Sequence, residues 1–174
     1  YIVVYATGTP CSGIPTVTHQ GKVYNTIQVG TQCWLRENIN YGTMVNVTTT
    51  QTNNSVVEKY CQTNDQNNCE IYGGLYQWAE AVQYLNGVTN TTHWNPLPTT
   101  PVQGICPSGW HIPTNAEATT LITFLGGSNQ AGGKMKSTGT IHWNSPNVGA
   151  TNQYGFTAFA GGSCLNGNFI NLLS

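Results

Sequence analysis

Six cysteines stand at positions 11, 33, 61, 69, 106 and 164 of a 174-residue chain, and no CxxC or CxxH pair occurs among them. Zinc sites draw on closely spaced thiolate and imidazole ligands, so these side chains read as cystines rather than metal ligands. Cystines persist in oxidising compartments, which points to an exported product. Sequence alone does not choose among the pairings. Cys61 and Cys69 flank seven polar residues and close a small loop, and Cys11 with Cys33 ties the ends of a first hairpin. Elimination then leaves Cys106 with Cys164 to fasten the approach to a later helix to the C-terminal strands.

Only 6% of the residues are charged and the net charge is -1, where soluble domains usually carry about a quarter. Thr, Asn, Gln and Ser supply 64 uncharged hydrogen-bonding residues in their place. Without basic clusters there is no electrostatic basis for nucleic-acid binding or polybasic membrane contact. A hydrophobic content of 39%, with five Trp and nine Tyr, is too apolar for a disordered chain. No stretch approaches the roughly 20 apolar residues of a membrane span, and the chain opens on Tyr1, so it reads as a mature product whose secretory signal has been removed. Three N-glycosylation triplets, at Asn46, Asn53 and Asn90, carry little weight in a chain this rich in Asn and Thr.

The pattern predicts a single α+β domain over 1–174, with two helices packed on short, twisted, mainly antiparallel strands and cystines bracing them. Tyr1–Ala6 is an apolar strand ended by Gly8 and Pro10. Val23–Val29 alternates and stops at Gly30, with Cys33–Arg36 pairing beside it. Residues 43–70 form a long polar loop stapled by Cys61 and Cys69. Leu75, Trp78, Ala79, Val82 and Leu85 recur at helical spacing over Gly74–Leu85, before Asn86-Gly87. A second helix opens on the capping box Thr114-Asn115-Ala116-Glu117, buries Ala118, Leu121, Ile122 and Leu125, and ends at Gly126-Gly127. Short strands follow at Ile141–Trp143, Phe156–Ala160 and Phe169–Leu173.

The string Cys106-Pro107-Ser108-Gly109-Trp110-His111-Ile112-Pro113-Thr114-Asn115-Ala116-Glu117 resembles the signature of the Fibrobacter succinogenes major paralogous domain family. Val23–Gly30, Gln32–Asn40, Tyr72–Trp78, Gly132–Lys136 and Gly155-Phe156 agree in order. The resemblance implies exported bacterial cell-surface proteins without an established enzymatic activity. The central block is also similar to C-type-lectin-like and formylglycine-generating-enzyme folds, which implies a lectin-like domain. The family continues beyond the Gly161-Gly162 region into a further strand, so the sheet is expected to lack one strand and to offer an edge that another chain fills.

Six carboxylates, with Glu117 assigned to a cap and Glu37 to packing, leave little for acid–base or nucleophilic chemistry, so no enzyme and no cofactor are expected. The leading expectation is a surface protein that self-associates into an extracellular filament: Tyr1, Ile2, Val3, Val4, Tyr5 and Ala6, within an exchanged lead-in of residues 1–20, pair in a neighbouring copy. The alternative is a monomeric adhesin that binds surface glycans through Trp94 and His93, while Trp34, Trp78, Trp110 and Trp143 fill the core. Asp65, Asn67 and Glu70, near Asn64, are weak calcium candidates beside a plain polar turn.

Overall fold

A computed structural model of the chain describes residues 8–174. The strand expected at Tyr1–Ala6, with the assembly residues Tyr1, Ile2, Val3, Val4, Tyr5 and Ala6, lies outside the described residues. Among the described residues the architecture is mixed α/β, with four helices, small sheets and two cystines. The chain condenses into two compact units, one from the N-terminal part up to Glu37 with Asn115–Ala160 and Leu173–Ser174, the other from Asn38–Thr114 and Gly161–Leu172.

In the first unit β1 (Thr16–His19), β2 (Lys22–Val29) and β3 (Gln32–Leu35) form an antiparallel meander. β1 escaped the sequence reading, although its turn is legible. Gln20 and Gly21 both take positive φ, as a two-residue turn matched to strand twist requires. β2 buries Tyr24 and Thr26 on one face, then Ile27 and Val29 on the other. β1 pairs along the first half of β2 and β3 along the second. Ile27 and Val29 join Leu121, Leu125 and Ala131 in the core, where Trp34, Met135, Tyr154 and Phe156 pack against them.

Leu121 and Leu125 belong to the second predicted helix, observed as α3 (Asn115–Phe124), while Ile122 of the expected stripe is partly exposed. Gly126 and Gly127, at φ 95° and 92°, turn the chain into α4 (Ser128–Met135), which was not expected. Gly132 and Gly133 look like helix breakers, but a Cβ on Gly133 would lie 2.3 Å from the Gly149 carbonyl, so close approach rather than flexibility selects glycine there. The strands expected at Ile141–Trp143 and Phe156–Ala160 do not form; only an isolated Lys136–Ala158 bridge remains. One backbone bond, Ala160 N donating to His142 O at 3.3 Å, links the two segments. Asn147 Nδ2 donates to Ser137 O and Gly139 O, and Trp143 Nε1 to Ala158 O.

The second unit pairs β4 (Thr43–Met44) in parallel with β5 (Glu58–Lys59), and β6 (Ser163–Leu165) in antiparallel with β7 (Asn168–Ile170) across an Asn166-Gly167 turn. Residues 43–70 are therefore not one polar loop. They carry both strands of the first pair, a 3-10 turn at Gln62–Asn64 and the start of α1 (Gln66–Tyr72), whose amides Asp65 caps by accepting from Asn67 N at 2.9 Å. The helix expected over Gly74–Leu85 shrinks to α2 (Trp78–Ala81). Leu75 instead exchanges both backbone bonds with Tyr60, and Gln83, Tyr84 and Asn86 adopt positive φ.

Cystines join Cys11 to Cys33 and Cys61 to Cys69. The expected Cys106–Cys164 bridge is absent, and both are free thiols. Cys106 is fixed by its own turn, its N–H donating to Gln103 O, and Cys164 by its place on β6 opposite Phe169. Local structure thus settles each cysteine separately. Among the described residues no helix is long and apolar enough to cross a membrane.

Candidate functional site

The most distinctive surface of the second unit grows from α2. Asn90 Oδ1 accepts from Ala79 N at 2.9 Å and so caps the helix, while its amide donates to Gln77 Oε1 at 3.1 Å. The following turn is knotted by hydroxyls, Thr89 N donating to Thr92 Oγ1 at 2.9 Å. His93 is exposed beside it. Trp94 is aimed back at the helix: its Nε1 donates to Leu85 O at 2.9 Å, and its ring meets Trp78 edge-on at 5.2 Å. Asn86 Nδ2 reaches Pro96 O at 3.5 Å and ties the far side of the loop.

Trp78 was expected in the core and is instead 46% exposed. Glu80 takes the buried position two residues on. Its Oε1 accepts from Glu58 N at 3.0 Å and its Oε2 from the Tyr84 hydroxyl at 2.9 Å, so the polar residue points inward and Trp78 outward. Burial and the Glu80 carboxylate together push the Tyr84 hydroxyl well above the usual tyrosine range. Trp34, Trp110 and Trp143 are half-buried.

The calcium candidates are engaged in hydrogen bonds within the protein. Asp65 caps α1, Asn67 donates its amide to Asp65 Oδ1, Glu70 Oε1 accepts from Asn40 Nδ2 at 2.8 Å, and Asn64 Oδ1 accepts from Val47 N. Among the described residues no three His, Cys, Asp or Glu side chains converge as a metal would require. Other carboxylates are similarly engaged: Glu37 clamps the amide and backbone of Asn25 at 2.7 Å, and Glu58 accepts from Thr52 N and Asn54 Nδ2. Burial raises the thiols of Cys106 and Cys164 to about 11, so both are held in the protonated, unreactive form.

Residues 27–171 match the family model of the Fibrobacter succinogenes major domain. No curated protein and no solved structure matches the chain.

Proposed function

The chain belongs to the Fibrobacter succinogenes major domain family, a bacterial family, and from that premise we propose that it is an exported surface module that works by contact, with carbohydrate as the ligand of the Trp78–Trp94 surface. The observation that carries this reading is the edge-to-face pair of exposed Trp78 and half-buried Trp94. The loop that builds it, residues 85–104, holds no Asp, Glu, Lys or Arg. Sugar rings present C–H faces that pack on indole and hydroxyls that pair with amides and hydroxyls, which is what Trp78, Trp94, Asn86 and the Thr89–Thr92 turn offer. The cystines support export, and a lectin-like relationship belongs to the same proposal.

A glycan array probed with the full chain tests it. Binding to a neutral glycan, lost on Trp94→Ala and largely kept by Trp94→Phe with an unchanged circular dichroism spectrum, supports the reading. No glycan bound, or binding indifferent to Trp94 and Trp78, rejects it.

Self-association is the second reading. It draws on β6–β7, which among the described residues is a two-stranded sheet with no further strand on either edge, and on the exposed Leu165 and Ile170 it carries. A surface almost without like-charge repulsion favours close packing of copies. Strand donation by residues 1–6 is its most concrete form. Electron micrographs of fibres that disappear when residues 1–6 are deleted support it, and polymers at undiminished yield exclude it.

A further inference from the structure

We propose that a groove on the first unit is a second carbohydrate subsite, taking a neutral mono- or disaccharide independently of the Trp78–Trp94 surface. The groove is open to solvent and holds about 580 Å³ between the β2–β3 turn and α3, within the roughly 300–1,000 Å³ of small-ligand sites. Val29 and Gln32 line it together with Thr9, Gln28, Thr120 and Phe124. The lower part is rigid: Val29 belongs to the core, and Gln32 Nε2 donates to Glu117 O at 3.0 Å.

Phe124 gives the groove its aromatic face. It sits at the end of α3, three residues after Leu121 and one before Leu125, both of which are buried, yet it remains 48% exposed. Its ring is nevertheless held in place. A Cβ on Gly30 would lie 2.9 Å from Phe124 Cδ2, so the bare Gly30 backbone seats one part of the ring, and Tyr154 meets it at 5.3 Å with a 52° tilt. Gly30 also takes φ 62°, so glycine is required there twice over. The result is a fixed aromatic face left open to the groove.

The lining chemistry selects the class of ligand. No residue of the groove is charged, so an ionic ligand would lose hydration without gaining a counter-charge. A purely apolar ligand would bury Gln28, Thr9 and Thr31, all exposed, without replacing their hydrogen bonds. Thr120 donates to Ala116 O at 2.9 Å and keeps its oxygen as an acceptor, while Gln28 Nε2 makes only a long 3.3 Å bond to Gly30 O and is a ready donor. One aromatic face ringed by uncharged donors and acceptors matches a sugar, which is apolar across its ring and polar around its rim.

The test is a titration of the full ¹⁵N-labelled chain with cellobiose, maltose, lactose and N,N′-diacetylchitobiose, read by amide shifts. Expected is saturable movement of Gly30, Thr31, Gln32 and Thr120 with at least one sugar, weakened about tenfold or more by Phe124→Ala, as for loss of an aromatic anchor. Thr31→Arg, placed at the exposed rim, is expected to weaken it without disturbing the fold, and Trp94→Ala to leave it unchanged. The proposal is overturned if these amides stay still at about 10 mM of every sugar, a level that saturates even a millimolar site, or if they respond to adenosine and not to sugars. Shifts confined to Trp78 and Trp94 would reject the groove and leave the first carbohydrate reading standing.

Discussion

Thr26→Val, made in the presence and absence of the Cys11–Cys33 cystine, asks what holds the N-terminal lead-in against β2. Thr26 is 2% exposed; its Oγ1 accepts from Cys11 N at 3.0 Å and donates to Ile14 O at 2.6 Å. Valine keeps the shape and removes both bonds. Each buried backbone group left unpaired costs about 1–3 kcal/mol, and Ile14 lies nearer solvent, so the loss comes to about 2–4 kcal/mol. The cystine spans 22 residues, for which the chain-entropy relation gives about 3.4 kcal/mol of stabilisation. The two effects are coupled. With the bridge intact the lead-in cannot move away, so the orphaned groups stay dry. In a Cys11→Ala, Cys33→Ala background the segment peels back, water takes up the Cys11-position amide, and Thr26→Val costs about 1 kcal/mol. Urea unfolding followed by circular dichroism reads this directly. At a slope of about 2 kcal/mol/M, the midpoint falls by about 1–2 M in the bridged protein and by about 0.5 M in the unbridged one. Equal shifts in both backgrounds would refute the reasoning.

Gly42 takes φ 100°, and a Cβ there would lie 2.3 Å from Val57 O, the carbonyl that accepts from Thr43 N at the start of the β4–β5 pair. Gly42→Ala is expected to lower stability by about 2–4 kcal/mol in urea unfolding. Gly13→Ala, at φ 75° with open space around it, is the control and costs only about 1 kcal/mol of backbone strain. Cys106 and Cys164 are expected to react with iodoacetamide about a hundredfold more slowly at pH 8 than an ordinary thiol, because burial lifts each from 9.0 to about 11, with two adducts appearing rapidly by mass spectrometry once urea is added. The sign for stability follows: their contribution is complete below about pH 9 and falls as pH rises toward about 11, because the unfolded chain ionises first. Glu80→Gln replaces an acceptor of two buried hydrogen bonds by a group that accepts through one oxygen only, and is expected to lower stability by about 1–3 kcal/mol in a thermal melt.

What was legible in the sequence is what local chemistry dictates. The hairpin of β2 and β3 follows from alternation broken at Gly30, and α3 from its Thr114–Glu117 opening and its double-glycine stop. The two bridged pairs are those whose cysteines close short loops. The failures have a common origin in polar side chains that hydrogen-bond the backbone. Asp65 makes a helix of a stretch whose composition says loop, and Glu80, accepting from Glu58 N and the Tyr84 hydroxyl, takes the interior where apolar periodicity placed Trp78. In a chain with so many Asn, Gln and Thr residues such bonds compete with ladders everywhere, and periodicity of apolar residues carries correspondingly less information.

The same scarcity of charge explains where function escaped the sequence. Large aromatics at helical spacing are read as core because burial is their usual fate, and Trp78 satisfies that pattern, whereas Phe124 stands beside the predicted inner stripe of Ala118, Leu121, Ile122 and Leu125. Each is displaced outward by something the pattern does not register: a buried Glu80 carboxylate claims the interior at α2, and the bare Gly30 backbone props the Phe124 ring at the edge of α3. A protein that meets its partners with so few ions has only aromatic faces and neutral hydrogen-bonding groups to offer. Exposed Trp78, with Trp94 beside it, and exposed Phe124 carry the two carbohydrate proposals, and substituting Trp94 in one unit and Phe124 in the other is expected to weaken one site while sparing its counterpart.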